Sequence, residues 1–186
     1  MRLFPVVALL IPTLVASADA PKEKEKKEMR PMPPPAAPAE VKATVDAFKG
    51  SWNFDAELTV PGAAKPEKLK MSFNCKSVAG GNAVACDSKA KSTMGPLDAL
   101  FVIAYDPYSK AVHFIGVSNQ YEVHDHSCQW KGADLTCTPL KAGSGPGGDE
   151  ITEDLSMHIE KSTATFTSVS KMKGGAVIKF EGKGKK

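Results

Sequence analysis

The chain has 186 residues, a net charge of only +3 and 42% apolar residues. Arginine occurs only at positions 2 and 30, and residues 41–186 carry 18 lysines against 16 acidic residues. Because arginine is the usual bidentate reader of phosphate and guanine, this composition argues against nucleic-acid binding. Residues 41–186 are enough for one domain with a buried core.

The N-terminus has the pattern of a secretory signal peptide over residues 1–20. A short positive start precedes an apolar run from Leu3 to Ala16, and small-x-small cleavage sites follow at 16–18 and 18–20. The run is shorter than the ~20 residues that span a bilayer. We therefore expect a periplasmic or extracellular protein with no transmembrane segment, a retained membrane anchor being the alternative.

Residues 21–40 differ from the rest in composition. A mixed Lys/Glu run at 22–28 is followed by prolines at 31, 33, 34, 35 and 38. Such a segment offers little apolar surface to bury against the entropy of ordering it. It is predicted to be a disordered spacer, and a tether to an envelope component is the alternative.

The remaining sequence predicts one helix followed by about ten antiparallel strands. The helix runs from Pro38 to Phe48. Alternation is clearest in 52–60, where every even position is apolar and every odd one polar. The other predicted strands are 69–76, a third carrying Val84 and Cys86, 100–105, 111–117, 121–130, 133–138, 150–159, 163–171 and 176–182. The stretch 94–100 is predicted to be a lid or a structured connection.

Four cysteines are placed symmetrically about probable hairpin turns. Cys75 and Cys86 are equidistant from Gly80-Gly81, and Cys128 and Cys137 from Gly132-Ala133. Residues facing each other in an antiparallel pair have Cβ atoms ~4.5–5.5 Å apart, near the reach of a disulfide. Four cysteines allow three pairings, and the hairpin symmetry selects 75–86 with 128–137.

The strand count and the hairpin order favour an all-β, antiparallel up-and-down barrel, since closure removes exposed sheet edges. The segment Phe48–Trp52 resembles the FxGxW opening of lipocalin-like barrels. Met94–Pro96 and Ala104–Pro107, with Lys110, resemble an uncharacterised family of bacterial secreted lipocalin-like domains over about residues 41–183. The four cysteines and the lack of arginine depart from that family.

The resemblance implies a lipocalin-like fold, an internal cavity and no settled activity. It also implies that Gly50 permits the turn into the first strand and that Trp52 plugs the closed end. Alternation independently places Trp52 inside. The predicted cavity lining is Phe54, Leu58, Phe73, Phe101, Phe114, His124, His126 and Ile178.

The segment His124-Asp125-His126 is the best candidate for chemistry. In a strand both histidines point to one face, a spacing that can chelate a metal. A turn near Asn119-Gln120 would bring His113 opposite His126. Cys128 and Trp130 are even-numbered like the histidines and would lie on the same face of the strand. Tyr121 and Val123 are odd-numbered and would lie on the other face. Either a β-bulge lies between 123 and 128, or the histidines line the cavity. Glu153-Asp154 lies on or near a strand and is expected to be half solvated.

These observations predict an exported, monomeric, disulfide-linked barrel that binds a small apolar or amphipathic molecule. The cysteines have no CxxC spacing and the serines no nucleophile-elbow context, so binding is favoured over catalysis. We expect no cofactor and no metal. The alternatives are a structural or interaction domain with a filled barrel, and a metal-dependent enzyme that uses the strand histidines.

Overall fold

The computed structural model describes residues 36–93, 95–145 and 148–186. The predicted signal peptide and the spacer up to residue 35 lie outside the described residues, as do Met94, Pro146 and Gly147. The elements in chain order are α1 (Ala39–Phe48), β1 (Gly50–Thr59), β2 (Glu67–Val78), β3 (Ala83–Ser92), β4 (Gly95–Asp106), β5 (Ala111–Ser118), β6 (Val123–Lys131), β7 (Asp134–Pro139), β8 (Gly143–Ser144), β9 (Glu150–Glu160), β10 (Thr163–Met172) and β11 (Val177–Lys185).

Ten of these strands form a closed antiparallel barrel, which confirms the predicted fold class. From β1 to β7 each strand pairs with the next, β7 pairs with β9, and β11 returns to pair with β1. The two-residue strand β8 lies between β6 and β9, through Ser144 paired with Val123 and Glu150. Within the described residues, no helix has the length and apolar character needed to cross a membrane.

Alternation along β1 decides which of its side chains point into the barrel core. Trp52, Phe54, Ala56 and Leu58 are buried, and the residues between them are exposed. Each strand contributes such an inward row, so the inner faces together form one apolar core. Burying a large apolar side chain stabilises the fold by roughly 1.5–3 kcal/mol.

Helix α1 covers the barrel end at which β1 begins, here called the helix end. The Trp52 indole N–H donates a hydrogen bond to the Phe48 carbonyl at 2.8 Å. The Trp130 indole donates to the Thr44 hydroxyl at 3.1 Å. Gly50, between α1 and β1, has a φ of 122°, which favours glycine. Trp52 is therefore buried at the closed end, as predicted.

Both predicted disulfides are formed. In each pair the two cysteines lie directly opposite in register, on β2–β3 and on β6–β7. The first hairpin turn spans residues 79–82 rather than Gly80-Gly81 alone, and the second is the two-residue turn 132–133. A turn that lengthens equally on both sides keeps its centre, so the cysteine pairing is unchanged.

The opposite end of the barrel, here called the loop end, carries the connections β1–β2, β5–β6 and β10–β11. Residues 95–100 belong to β4 and pair with β3, with Gly95 opposite Ser92. Over residues 95–100 the structure thus favours the structured connection over the lid.

Candidate functional site

A cavity of about 290 Å³ lies inside the barrel and extends from Phe48 at the helix end to Gln120 and Glu122 at the loop end. Most of its wall is apolar. All eight predicted lining residues line it: Phe54, Leu58, Phe73, Phe101, Phe114, His124, His126 and Ile178.

Aromatic rings form much of this wall. Phe101 lies between Phe73 and Phe114, with ring centroids 5.8 and 5.2 Å away. The Phe101 ring covers Gly116, its partner across β4–β5, and a Cβ at Gly116 would lie 2.8 Å from that ring. Glycine at this inward position therefore makes room for the ring.

Strand β6 carries both histidines into the cavity. Its pairing with β5 is regular from Val123 to Cys128, so the predicted β-bulge is wrong. His126 and Cys128 are buried and His124 is largely buried, while Val123 is exposed. Of the two readings left open by the sequence, the cavity-lining one is correct.

The predicted cluster of three imidazoles is also wrong. His113 pairs with Ser127, and Phe114 is the residue opposite His126. The Ser118 N–H donates a hydrogen bond to the Glu122 carbonyl, so the turn is 119–121 and shifts the register by one residue relative to a two-residue turn at Asn119-Gln120. A one-residue shift moves a side chain to the other face of the sheet. His113 accordingly lies near Asp125, and its Nδ1 is 3.8 Å from the Asp125 Oδ1.

The polar group that faces the cavity histidines is Glu153 of β9. Its Oε2 lies 3.0 Å from His124 Nδ1 and 3.4 Å from His126 Nε2, and Ser168 of β10 donates a hydrogen bond to its Oε1. The side chain is 17% exposed, so the expectation of a half-solvated Glu153 is wrong. The sequence did indicate this position, because Glu153 lies with Ile151 and Leu155 on one face of the strand.

A proline explains how His126 reaches the β9 backbone. The β7–β9 ladder ends at Cys137 opposite Leu155, and the next equivalent pair would be Pro139 opposite Glu153. The Ile159 N–H donates a hydrogen bond to the Ala133 carbonyl, and hydrogen-bonded pairs recur at every second position of an antiparallel ladder. Pro139 and Glu153 would therefore form a hydrogen-bonded pair. Proline has no N–H, so the Glu153 carbonyl is free to accept from His126 Nε2 at 3.0 Å.

Hydrogen bonding and opposite charge favour the charged forms of His124 and Glu153 despite their burial. For His124, burial alone would lower the pKa, but the hydrogen bond and the negative charge of Glu153 raise it above its usual 6.5. For Glu153, burial alone would raise the pKa, but His124, Ser168 and His126 hold it below its usual 4.5. An ionised carboxylate therefore lies within an otherwise apolar wall.

The protein is thus a closed ten-strand antiparallel barrel with a mostly apolar cavity that contains a histidine–glutamate cluster. No family model and no curated protein matches the chain. The fold is similar to that of the S-type phycobiliprotein lyase CPES from Guillardia theta, with a TM-score of 0.57 and 9% identity over 78% of this chain and 92% of that one. A de novo designed fluorescence-activating β-barrel has a TM-score of 0.42, with 13% identity over 78% of this chain and 98% of that one. At such low identity the likeness to the lyase concerns the fold alone.

Proposed function

We propose that this protein binds a small amphipathic molecule inside its barrel. The observation that carries the proposal is the cavity of about 290 Å³, whose wall is mostly apolar and carries a polar cluster on β6, β9 and β10. Pockets for small organic ligands hold roughly 300–1,000 Å³, with few polar groups that fix orientation. The volume therefore suits a compact ligand, and a barrel fold shared with a phycobiliprotein lyase is compatible with such a role.

The arrangement of the wall suggests how the ligand would lie. Phe54 lies towards the helix end, where its ring contacts Trp52, and the rings of Phe73, Phe101 and Phe114 continue the aromatic wall from it. His124 and Glu153 come near the start of β6 and β9, and therefore towards the loop end. The apolar body of a ligand would pack on the rings, and its polar end would contact His124 and Glu153.

The test is a titration of the full, disulfide-bonded chain with the neutral fluorophore N-phenylnaphthylamine and with a medium-chain fatty acid. We expect saturable binding with micromolar affinity, about −8 kcal/mol. Ala99→Trp places an indole in the cavity, because Ala99 lines it. The matched control is Leu100→Trp, which adds the same ring on the outer face, where Leu100 is 42% exposed.

The expected result is that Ala99→Trp weakens probe binding at least tenfold and that Leu100→Trp leaves it unchanged. Equal effects from the two variants would place the bound probe outside the barrel. If neither the fluorophore nor the fatty acid saturates the unmodified chain, the ligand-binding proposal fails. The barrel would then be better explained as a structural or interaction domain.

We further propose that the chain is exported to the periplasm or the cell exterior and works as a monomer. The signal-peptide pattern of residues 1–20 and the two disulfides support export, because such bonds persist in oxidising compartments. Mass spectrometry of the protein from its own host should give a mature N-terminus after Ala18 or Ala20. An intact N-terminus in a fraction that contains free thiols would contradict export.

A further inference from the structure

We propose that His124, His126 and Glu153 form a binding site for a divalent transition-metal ion inside the barrel. Their ligand atoms all lie within 4.8 Å of one another. The site shares His124 and Glu153 with the proposed ligand contacts, but metal binding needs no organic molecule and can be tested without one. It would also give the cavity a Lewis-acidic centre at its polar cluster.

The distances suit a tetrahedral ion. Bonds of about 2.0–2.2 Å to nitrogen and oxygen separate neighbouring ligands by roughly 3.3–3.6 Å. Glu153 Oε2 already lies 3.0 Å from His124 Nδ1 and 3.4 Å from His126 Nε2. The ligand atoms of the two histidines lie within 4.8 Å of each other, so a movement of no more than about 1.5 Å would bring all three pairs to tetrahedral spacing.

The donor set and its surroundings agree with this chemistry. Two imidazoles and one carboxylate match the three protein ligands of many zinc sites, in which a fourth position stays open to water or substrate. All three residues line the cavity, so the open position would face it. Ser168 hydrogen-bonds the second oxygen of Glu153 and is a positioning residue for the carboxylate.

The competing explanation is a buried hydrogen-bonded cluster with no metal. In it the His126 Nε2 proton is donated to the Glu153 carbonyl, and an ion must displace that proton. The cluster accounts for the contact between His124 and Glu153 equally well. His126 Nδ1 is buried without a hydrogen-bond partner in either explanation, because the proposed ligand atom is Nε2. The two explanations differ in whether the chain takes up a metal ion, and this can be measured.

The experiment titrates Zn²⁺ into the full, untagged, disulfide-bonded chain by calorimetry, and records the absorption of Co²⁺ as a second readout. We expect one ion per chain and a Co²⁺ spectrum typical of tetrahedral coordination. His124→Ala and Glu153→Gln should each weaken binding by at least about tenfold, the smallest loss that even an outer-shell partner usually causes. His113→Ala and His158→Ala remove imidazoles outside the cluster and should leave the affinity unchanged.

Near-UV circular dichroism of each metal-free variant shows whether the barrel is intact. His124 is 14% exposed and its replacement leaves the buried His126 in place, so His124→Ala gives a result even if Glu153→Gln fails to fold. The proposal is overturned if the unmodified chain binds no ion, or if His124→Ala binds as tightly as the unmodified chain. It is also overturned if affinity falls with His113 or His158 instead. No organic ligand is present, so these outcomes are independent of the probe titration.

Discussion

Replacing Trp52 tests the closed end of the barrel. Its side chain is 3% exposed, and its ring centroid lies 6.0 Å from that of Phe54. The indole N–H bonds the Phe48 carbonyl at 2.8 Å, which ties the end of α1 to β1. Lys186 Nζ lies 4.6 Å from the centre of the same ring. Trp52→Ala removes all of these contacts and leaves a cavity.

The expected losses of stability in two variants of Trp52 distinguish the contribution of its packing from that of its hydrogen bond. Truncating a buried aromatic residue to alanine costs about 3–5 kcal/mol. Trp52→Phe keeps most of the packing but leaves the Phe48 carbonyl without its donor, which costs about 1–3 kcal/mol. For a protein of this size each kcal/mol lowers Tm by roughly 2–4 °C. Trp52→Ala should therefore lower Tm by roughly 6–20 °C.

Urea unfolding monitored by far-UV circular dichroism, together with thermal melts, measures both variants. The control is Tyr108→Ala, because Tyr108 is 97% exposed and its removal should change stability by no more than about 0.5 kcal/mol. A Tm for Trp52→Ala equal to that of the control would mean that Trp52 is exposed. The description of the helix end as the closed end would then be wrong.

Three further perturbations address other parts of the barrel. Replacing Cys75 and Cys86 together by alanine removes a disulfide that joins residues 11 apart in sequence and should destabilise the domain by about 2–3 kcal/mol. Peptide mapping of the unmodified chain without reduction should recover the Cys75–Cys86 link, and a link between the two hairpins would refute the register. Gly116→Ala should cost about 1–3 kcal/mol in denaturant unfolding, because the new Cβ would lie 2.8 Å from the phenylalanine ring that covers it; an unchanged unfolding midpoint would show that the ring moves away freely. The hydrogen bond with Asp134 raises the pKa of His158 above its usual 6.5, so their contact should stabilise the fold fully below pH 6.5 and be lost as pH rises through the raised pKa. An NMR titration of His158 checks the direction, and a pKa at or below 6.5 would contradict it.

Several features followed directly from the residue pattern. Alternation in β1 identified the buried row from Trp52 to Leu58, because a strand exposes successive side chains on opposite faces. The mirror placement of Cys75 and Cys86 gave the register of their hairpin. Alternation likewise placed Phe54, Leu58, Phe73 and Ile178 inside, whereas it left the direction of His124 and His126 open. All eight predicted lining residues line the cavity, although their role in binding a ligand stays a prediction.

Other features were missed because they depend on turn length or on long-range placement. One residue in the β5–β6 connection decided whether His113 or Phe114 stands opposite His126. Glu153 had the parity of an inward residue but was assigned to a half-solvated position on the basis of its charge. Its burial becomes acceptable only because His124 and Ser168, distant in sequence, provide partners for it.

The sequence by itself therefore determined the strand rows, the registers of the two cysteine hairpins and the cysteine pairs, all of which depend on residues near one another in the chain. The tertiary structure alone decided which rows meet inside the barrel. Closure by β11 against β1, and the end of the β7–β9 ladder before Pro139, place β6, β9 and β10 around one polar cluster. The alternation within a single strand does not predict that these three strands come together, because their proximity results from the packing of the whole closed sheet.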